Sequence, residues 1–263
     1  MTARVLALCN QKGGVGKTTT TFHLARAAVR AGLQVLLVDL DPQGNLTVIA
    51  SRDPVEEDQV GLADVLSTRA EDTIADVTVT GVWPGLTLVP TAGESLGEVR
   101  DELVLAGAGR EARLDTALDA VRGDYDLILI DCPPSLDQLA INGLVAADAA
   151  VIITQSKLFS AAGLAKLLRT IDTVRQYYNP TLTVAGVIVN AHEAATISGR
   201  HWLTEIAGEV TVLDPPVPKR ALIGDAAEAA KGLDEWGPAA ATVLAEIFDG
   251  YLGALHVGKG APS

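Results

Sequence analysis

Apolar runs alternate with stretches of helical spacing along most of the chain. The strand-like runs are Val5–Leu8, Gln34–Val38, Gly85–Val89, Asp126–Ile130, Ala149–Ile153, Leu182–Val189 and Val210–Leu213. Helical spacing covers Lys17–Ala31, Glu111–Arg122, Gln138–Ala146, Ala161–Tyr177, Ser198–Gly208 and Ala221–Lys231, and Pro238–Leu252 reads as a closing helix packed on a sheet. Gly32 suits the end of the first helix. Runs such as LILI (127–130) and VIIT (151–154) are apolar at nearly every position. Strands covered on both faces of a parallel sheet read this way, whereas half-exposed strands alternate. The pattern predicts a doubly wound α/β fold, a mostly parallel sheet flanked by helices, in one domain over 1–263. The polar, acidic stretch Ser51–Thr80 interrupts the periodicity and predicts an excursion with one short helix near Leu62–Leu66.

Composition narrows this little. At 263 residues, 48% hydrophobic and 4% aromatic, the chain can bury a large core of Val, Leu, Ile and Ala. No apolar run approaches the roughly 20 residues of a membrane-spanning helix. Cys9 and Cys132 form neither a CxxC pair nor a disulfide framework, and a reducing, cytoplasmic setting fits them. A net charge of −13 argues against constitutive electrostatic binding to nucleic acid and leaves room for a local basic face.

Chemistry concentrates in CNQKGGVGKTTT (9–20), between the first strand and the first helix. A phosphate loop of the common kind reads G-x-x-x-x-G-K-[ST]. Gly16, Lys17 and Thr18 fit its end; Gln11 stands where the first glycine belongs, beside an additional lysine, Lys12. Gly13, Gly14 and Gly16, with Val15 between them, allow backbone N–H groups to turn inward around phosphate oxygens. The following helix directs its positive end at the same anion. Lys17 is expected to reach the terminal phosphates, the Thr18 hydroxyl to ligate Mg²⁺, and Thr19 to bond an inner phosphate. Two strand-end carboxylate sites support the loop. DLDPQGN places Asp39 and Asp41 after the second strand, and LIDCPPSL places Asp131 after another. Ligands of open α/β sheets sit at such carboxyl ends.

KGGVGKTT, DLDPQGN and LIDCPPSL together resemble the deviant Walker A ATPases of the ParA/MinD superfamily, within the P-loop NTPase fold, and most of all the ParA/Soj branch. The stretch GLTLVPTAGESLGEVRDEL (85–103) is similar to the segment before the Walker B strand in that branch. The resemblance implies a Mg²⁺-dependent ATPase that cycles between ATP and ADP. It implies that Lys12 is the signature lysine, reaching the nucleotide of a second subunit in an ATP-dependent homodimer. It makes Lys17 and Thr18 the ordinary loop lysine and Mg²⁺ ligand, Asp41 the residue that positions or activates the attacking water, Asp131 the Walker B carboxylate, and Asp39 a support of the Mg²⁺ shell. Asn190 resembles an adenine-contacting asparagine, and Pro218, in VPKR, a residue packing near the base. No NKxD motif of the kind GTPases use occurs.

The resemblance also implies DNA partition: nonspecific DNA binding by the ATP dimer, which associates it with the nucleoid, and a ParB-like centromere-binding protein that stimulates hydrolysis. Arg200, Lys219 and Arg220 are candidate DNA contacts, and Lys166 and Arg169 share a helix face. The alternative within the same branch is a regulatory or positioning ATPase that gates protein–protein binding without touching DNA. Membrane targeting of the MinD kind needs a basic amphipathic C-terminal helix. After Lys231 the only Lys or Arg is Lys259, so no membrane partner is expected. An iron–sulfur reductase would need cysteines placed to share a cluster across a dimer, which Cys9 and Cys132 are not expected to provide. The first strand begins almost at residue 1, so a short form without an N-terminal helix-turn-helix domain is expected.

Overall fold

In the computed structural model, which describes residues 2–69, 72–237 and 239–258, with the backbone alone at 158–162, all but one of the apolar runs assemble into one sheet. Its strands are β1 (Arg4–Cys9), β2 (Val35–Asp39), β3 (Val79–Thr80), β4 (Leu86–Val89), β5 (Leu127–Asp131), β6 (Ala149–Gln155) and β7 (Thr183–Asn190), in the order β3-β4-β2-β5-β1-β6-β7. Every pairing is parallel except the short edge pair of β3 with β4.

Alternation within each strand divides the core in two. In β1, Val5, Ala7 and Cys9 face one layer, and Leu6 and Leu8 the other. In β5, Ile128 and Ile130 join the first, Leu127 and Leu129 the second. Helices α3 (Leu62–Leu66), α5 (Ser95–Leu105), α6 (Arg113–Asp119), α7 (Gln138–Ala146) and α8 (Leu158–Tyr177) cover the first face. Helices α1 (Lys17–Arg30), α2 (Asn45–Ala50), α10 (Ala221–Glu228) and α11 (Ala239–Ala254) cover the second. Both faces are thereby removed from water, which is why the central strands carry no polar alternation.

Four features differ from the sequence expectation. The excursion carries α4 (Ile74–Val77) and β3 besides the expected α3. Helix α2 has only 6 residues, too short for a periodic signal. Helix α5 buries Leu96, Val99 and Leu103 at helical spacing, inside a stretch read only for its resemblance. Val210–Leu213 is not a strand: it follows α9 (Ile197–Glu209), and a single parallel bridge joins Val212 to Val187. Asp214 and then Pro215 and Pro216 follow, and proline cannot donate to a ladder. Pro238 and Lys259, which entered the readings of the closing helix and the tail, lie outside the described residues. Among the described residues no helix is long and apolar enough to cross a membrane.

Candidate nucleotide site

The loop leaves β1 at the centre of the sheet and enters α1 directly. Gly14 and Gly16 hold φ of 70° and 90°, the left-handed region that a side chain disfavours. Gly16 is the residue before α1, so the turn delivers the chain into the helix without a side-chain cap. Lys17 and Thr18 stand in the first turn, where unpaired N–H groups concentrate. Asn10 supports the loop from below: its amide donates to the Ile153 carbonyl at 2.7 Å, and its Oδ1 accepts from the Lys12 N–H at 3.0 Å. Gln11 reaches α8, donating to the Gly163 carbonyl at 3.4 Å.

Opposite the first turn of α1 stand the strand-end carboxylates. Thr18 Oγ1 donates to Asp131 Oδ2 at 2.6 Å, and Thr21 Oγ1 to Asp131 Oδ1 at 3.3 Å. Asp131 lies level with Asp39 in the parallel register of β5 and β2. Asp39 is fully buried; its Oδ2 accepts from both the N–H and the hydroxyl of Thr47 on α2, each at 2.7 Å. Burial, and then repulsion from Asp131, raises the Asp39 carboxyl to about 7. Burial likewise raises Asp131 to about 7, against the lowering effect of Thr18 and Lys17, while Asp41 pushes it further up. Lys17 is itself buried, at 6% exposure, and its charge helps hold this acidic group. Asp41 is 8% exposed, and its Oδ1 accepts from the Gln43 N–H at 3.1 Å.

The residues present fit a divalent cation. Two buried carboxylates in register carry an electrostatic cost that Mg²⁺ would relieve, and Thr18 Oγ1 and Asp131 Oδ2 are adjacent hard oxygen donors. Because both proton-accepting contacts of Asp39 Oδ2 go to Thr47, Asp39 is placed to orient the α2 end of the site.

Asn190, at the end of β7, donates from Nδ2 to the Val15 carbonyl at 2.9 Å, and its Oδ1 accepts from the Ala191 N–H at 2.8 Å. It therefore touches the phosphate loop itself. Pro218 bridges to His192, which puts the 217–220 segment beside the end of β7. Lys219 and Arg220 are exposed on that segment, with Lys219 paired to Glu193 at 3.0 Å. Arg200, exposed on α9, donates to the Ala194 carbonyl at 2.8 Å. Lys166 and Arg169 are both exposed on α8. Cys9 and Cys132 are free and buried. Burial pushes the Cys9 thiol up to about 12 and raises Cys132 well above the ordinary range.

Sequence reasoning missed Thr21, Thr47 and Gln155. Gln155 Nε2 donates to the Gly14 carbonyl at 3.2 Å. The available signal was its position at the carboxyl end of an apolar strand, where ligands of such sheets gather.

A family model described as an AAA domain matches residues 3–184. The chromosome partitioning protein ParA of Caulobacter vibrioides is 38% identical over 227 residues, covering 85% of this chain and 83% of that one. The chain belongs to the ParA family of P-loop ATPases. Another relative, the sporulation initiation inhibitor protein Soj of Bacillus subtilis, is 38% identical over 203 residues, covering 77% of this chain and 78% of its own. Among solved structures, cobyrinic acid a,c-diamide synthase from Mycobacterium smegmatis with bound ADP and magnesium superposes with a TM-score of 0.81. It is 36% identical, covering 99% of this chain and 98% of that one. The reaction in its name is a property of that protein. The parallel sheet with helices on both faces, expected from the apolar runs, is the fold that this ParA-family chain shares with it.

Proposed function

We propose that this ParA-family protein is a Mg²⁺-dependent ATPase that closes into an ATP-sandwich homodimer, binds DNA without sequence preference in that state, and releases it on hydrolysis. A ParB-like centromere-binding protein stimulates turnover. The protein acts in the cytoplasm and associates with the nucleoid when ATP is bound. The observation that carries the reading is Lys12. Lys17 already supplies a buried lysine to the loop, whereas Lys12 is half-buried at its outer edge. Among the described residues no ion pair involves Lys12. A second lysine has work to do when two such loops face each other, as an arginine finger supplied in trans does.

The residue roles rest on the family resemblance, and the geometry supports several of them. Backbone N–H groups of 13–16 and the first turn of α1 bind phosphate oxygens, and Thr19 bonds an inner phosphate. Lys17 reaches the terminal phosphates and offsets their negative charge. Thr18 and Asp131 would hold Mg²⁺, and Asp39 fixes their surroundings through Thr47. Bound Mg²⁺ supplies charge neutralisation at the transferring phosphoryl group. Asp41 keeps one carboxylate oxygen without a hydrogen bond among the described residues, so it can orient or accept a proton from the attacking water. Asn190 and Pro218 line the base side.

DNA contact draws on Lys166, Arg169, Arg200, Lys219 and Arg220, gathered into one basic surface by dimerisation. A second reading is favoured by the net charge of −13 and by the Lys219–Glu193 pair, which neutralises one candidate contact. In it, nucleotide state gates docking of another protein and DNA is not touched. DNA retention with ATP, ADP or no nucleotide across a salt series separates the two. ATP-specific retention that falls with salt supports partition. Its absence, even in an Asp41→Ala variant trapped as dimer, refutes DNA binding.

A further inference from the structure

Two amide side chains grip successive carbonyls of the phosphate loop. Gln155 donates from Nε2 to the Gly14 carbonyl at 3.2 Å, and Asn190 donates from Nδ2 to the Val15 carbonyl at 2.9 Å. Gln155 ends β6 and Asn190 ends β7, and the two are register partners across that parallel pair. The amides thus stand side by side and meet two adjacent peptide groups.

The consequence lies on the other side of those peptides. A trans peptide is planar, with its C=O and N–H pointing in opposite directions. Holding the Gly14 carbonyl fixes the direction of the Val15 N–H; holding the Val15 carbonyl fixes that of the Gly16 N–H. These are loop donors available to a phosphate oxygen. A hydrogen bond accepted at the carbonyl also polarises the same peptide and strengthens its N–H as a donor. The fit is close. A Cβ on Gly16 would come within 2.0 Å of Asn190 Nδ2, so glycine there makes room for the amide as well as for the left-handed turn. The Ala191 N–H, 2.8 Å from Asn190 Oδ1, fixes which end of the amide faces the loop.

We propose that Gln155 and Asn190 form an amide clasp that presets the phosphate loop before ligand arrives. Both are positioning residues for triphosphate binding, independent of any base. For Asn190 this role is additional to contact with adenine. The inference rests on the nucleotide reading given above.

The test compares Mg²⁺-tripolyphosphate, which has no base, with Mg²⁺-ATP. Calorimetric titration is made on wild type, Gln155→Met, Asn190→Ala and the double variant. The amide proton resonances of Val15 and Gly16 are followed without ligand. Gln155→Met is expected to weaken tripolyphosphate and ATP alike, by about three- to tenfold, the range one neutral hydrogen bond supports; Asn190→Ala is expected to weaken tripolyphosphate by the same factor and ATP by more, since the adenine contact is lost as well. The Val15 resonance should move upfield in Gln155→Met, and that of Gly16 in Asn190→Ala, with little change in melting temperature. Unchanged tripolyphosphate affinity in both variants would overturn the clasp. A loss confined to ATP in Asn190→Ala would assign that residue to the base alone and remove it from the clasp. If Asn190→Ala fails to fold, Gln155→Met decides the matter. A wild-type protein that bound neither ligand would defeat the nucleotide reading itself, and the clasp with it.

Discussion

Asp39 and Asp131 are register partners at the carboxyl ends of neighbouring parallel strands, and both are almost wholly shielded from water. Thr47 and Thr18 each donate to one of them, and Lys17 lies close enough to lower Asp131. The compensation is incomplete, since both carboxyls remain raised to about 7. A buried acidic pair of this kind costs stability that a bound cation restores.

Asp39→Asn removes one charge and keeps an oxygen to accept from Thr47. The ligand-free variant is expected to melt higher than wild type by roughly 2–4 °C, the shift that about 1 kcal/mol gives in a chain of this size. The further stabilisation by Mg²⁺ with nucleotide should shrink. Differential scanning calorimetry with and without Mg²⁺-ADP checks both; a lower ligand-free melting point would refute the electrostatic account.

Asp41 is close to the acidic pair, and among the described residues its side chain makes one hydrogen bond, accepted from the Gln43 N–H within its own turn. Asp41→Ala should therefore keep nucleotide binding within a few-fold and lose hydrolysis by about 10²–10⁴-fold, the range for a positioned general base. Single-turnover hydrolysis beside a binding titration separates the effects. Equal losses in both would mean that Asp41 binds rather than acts on water.

His23 links α1 to α10: its Nε2 donates to the Ile223 carbonyl at 2.9 Å, while its Nδ1 is buried without a partner among the described residues. Phe22 and Phe248 pack on the ring. Burial pushes the imidazole down to about 4, against the raising influence of the Ile223 carbonyl and Asp234. Above about pH 6.5 the ring is neutral in folded and unfolded chains alike, and its contribution is constant. Below that, the unfolded chain takes up the proton first and stability falls, levelling off near pH 4 where the folded form also protonates. The loss attributable to this group is about 3 kcal/mol over that window. Denaturant midpoints of wild type and His23→Gln between pH 7 and pH 4 should converge as pH falls; parallel curves would remove His23 from the acid response.

Much of this was legible in the sequence because burial on both faces leaves an unbroken apolar run. Leu127–Ile130 reads as a central strand for that reason, and Asp131 after it reads as a site residue because it shares the carboxyl end of the sheet with Asp39 and the phosphate loop; alone, an Asp at a strand end is a common turn residue. The loop between Cys9 and Thr20 was legible through glycine spacing. What escaped is decided by tertiary contact. Gln155 is a polar residue at the very end of a largely apolar strand, and only the register with Asn190 shows what it holds. The link from Asp39 to Thr47 depends on α2, a helix too short to announce itself. Val210–Leu213 has strand-like composition but meets its neighbour at one bridge before two prolines.

In the proposed dimer, Lys12 serves the nucleotide of the second subunit. Sedimentation velocity of wild type, Lys12→Ala and Lys17→Ala with Mg²⁺ and a nonhydrolysable ATP analogue tests it directly, beside a binding titration of the same analogue. Wild type is expected to shift from monomer to dimer. Lys17→Ala should bind too weakly to shift. Lys12→Ala should bind the analogue within a few-fold of wild type and stay monomeric. A Lys12→Ala protein that dimerises and hydrolyses ATP as wild type does would contradict the account.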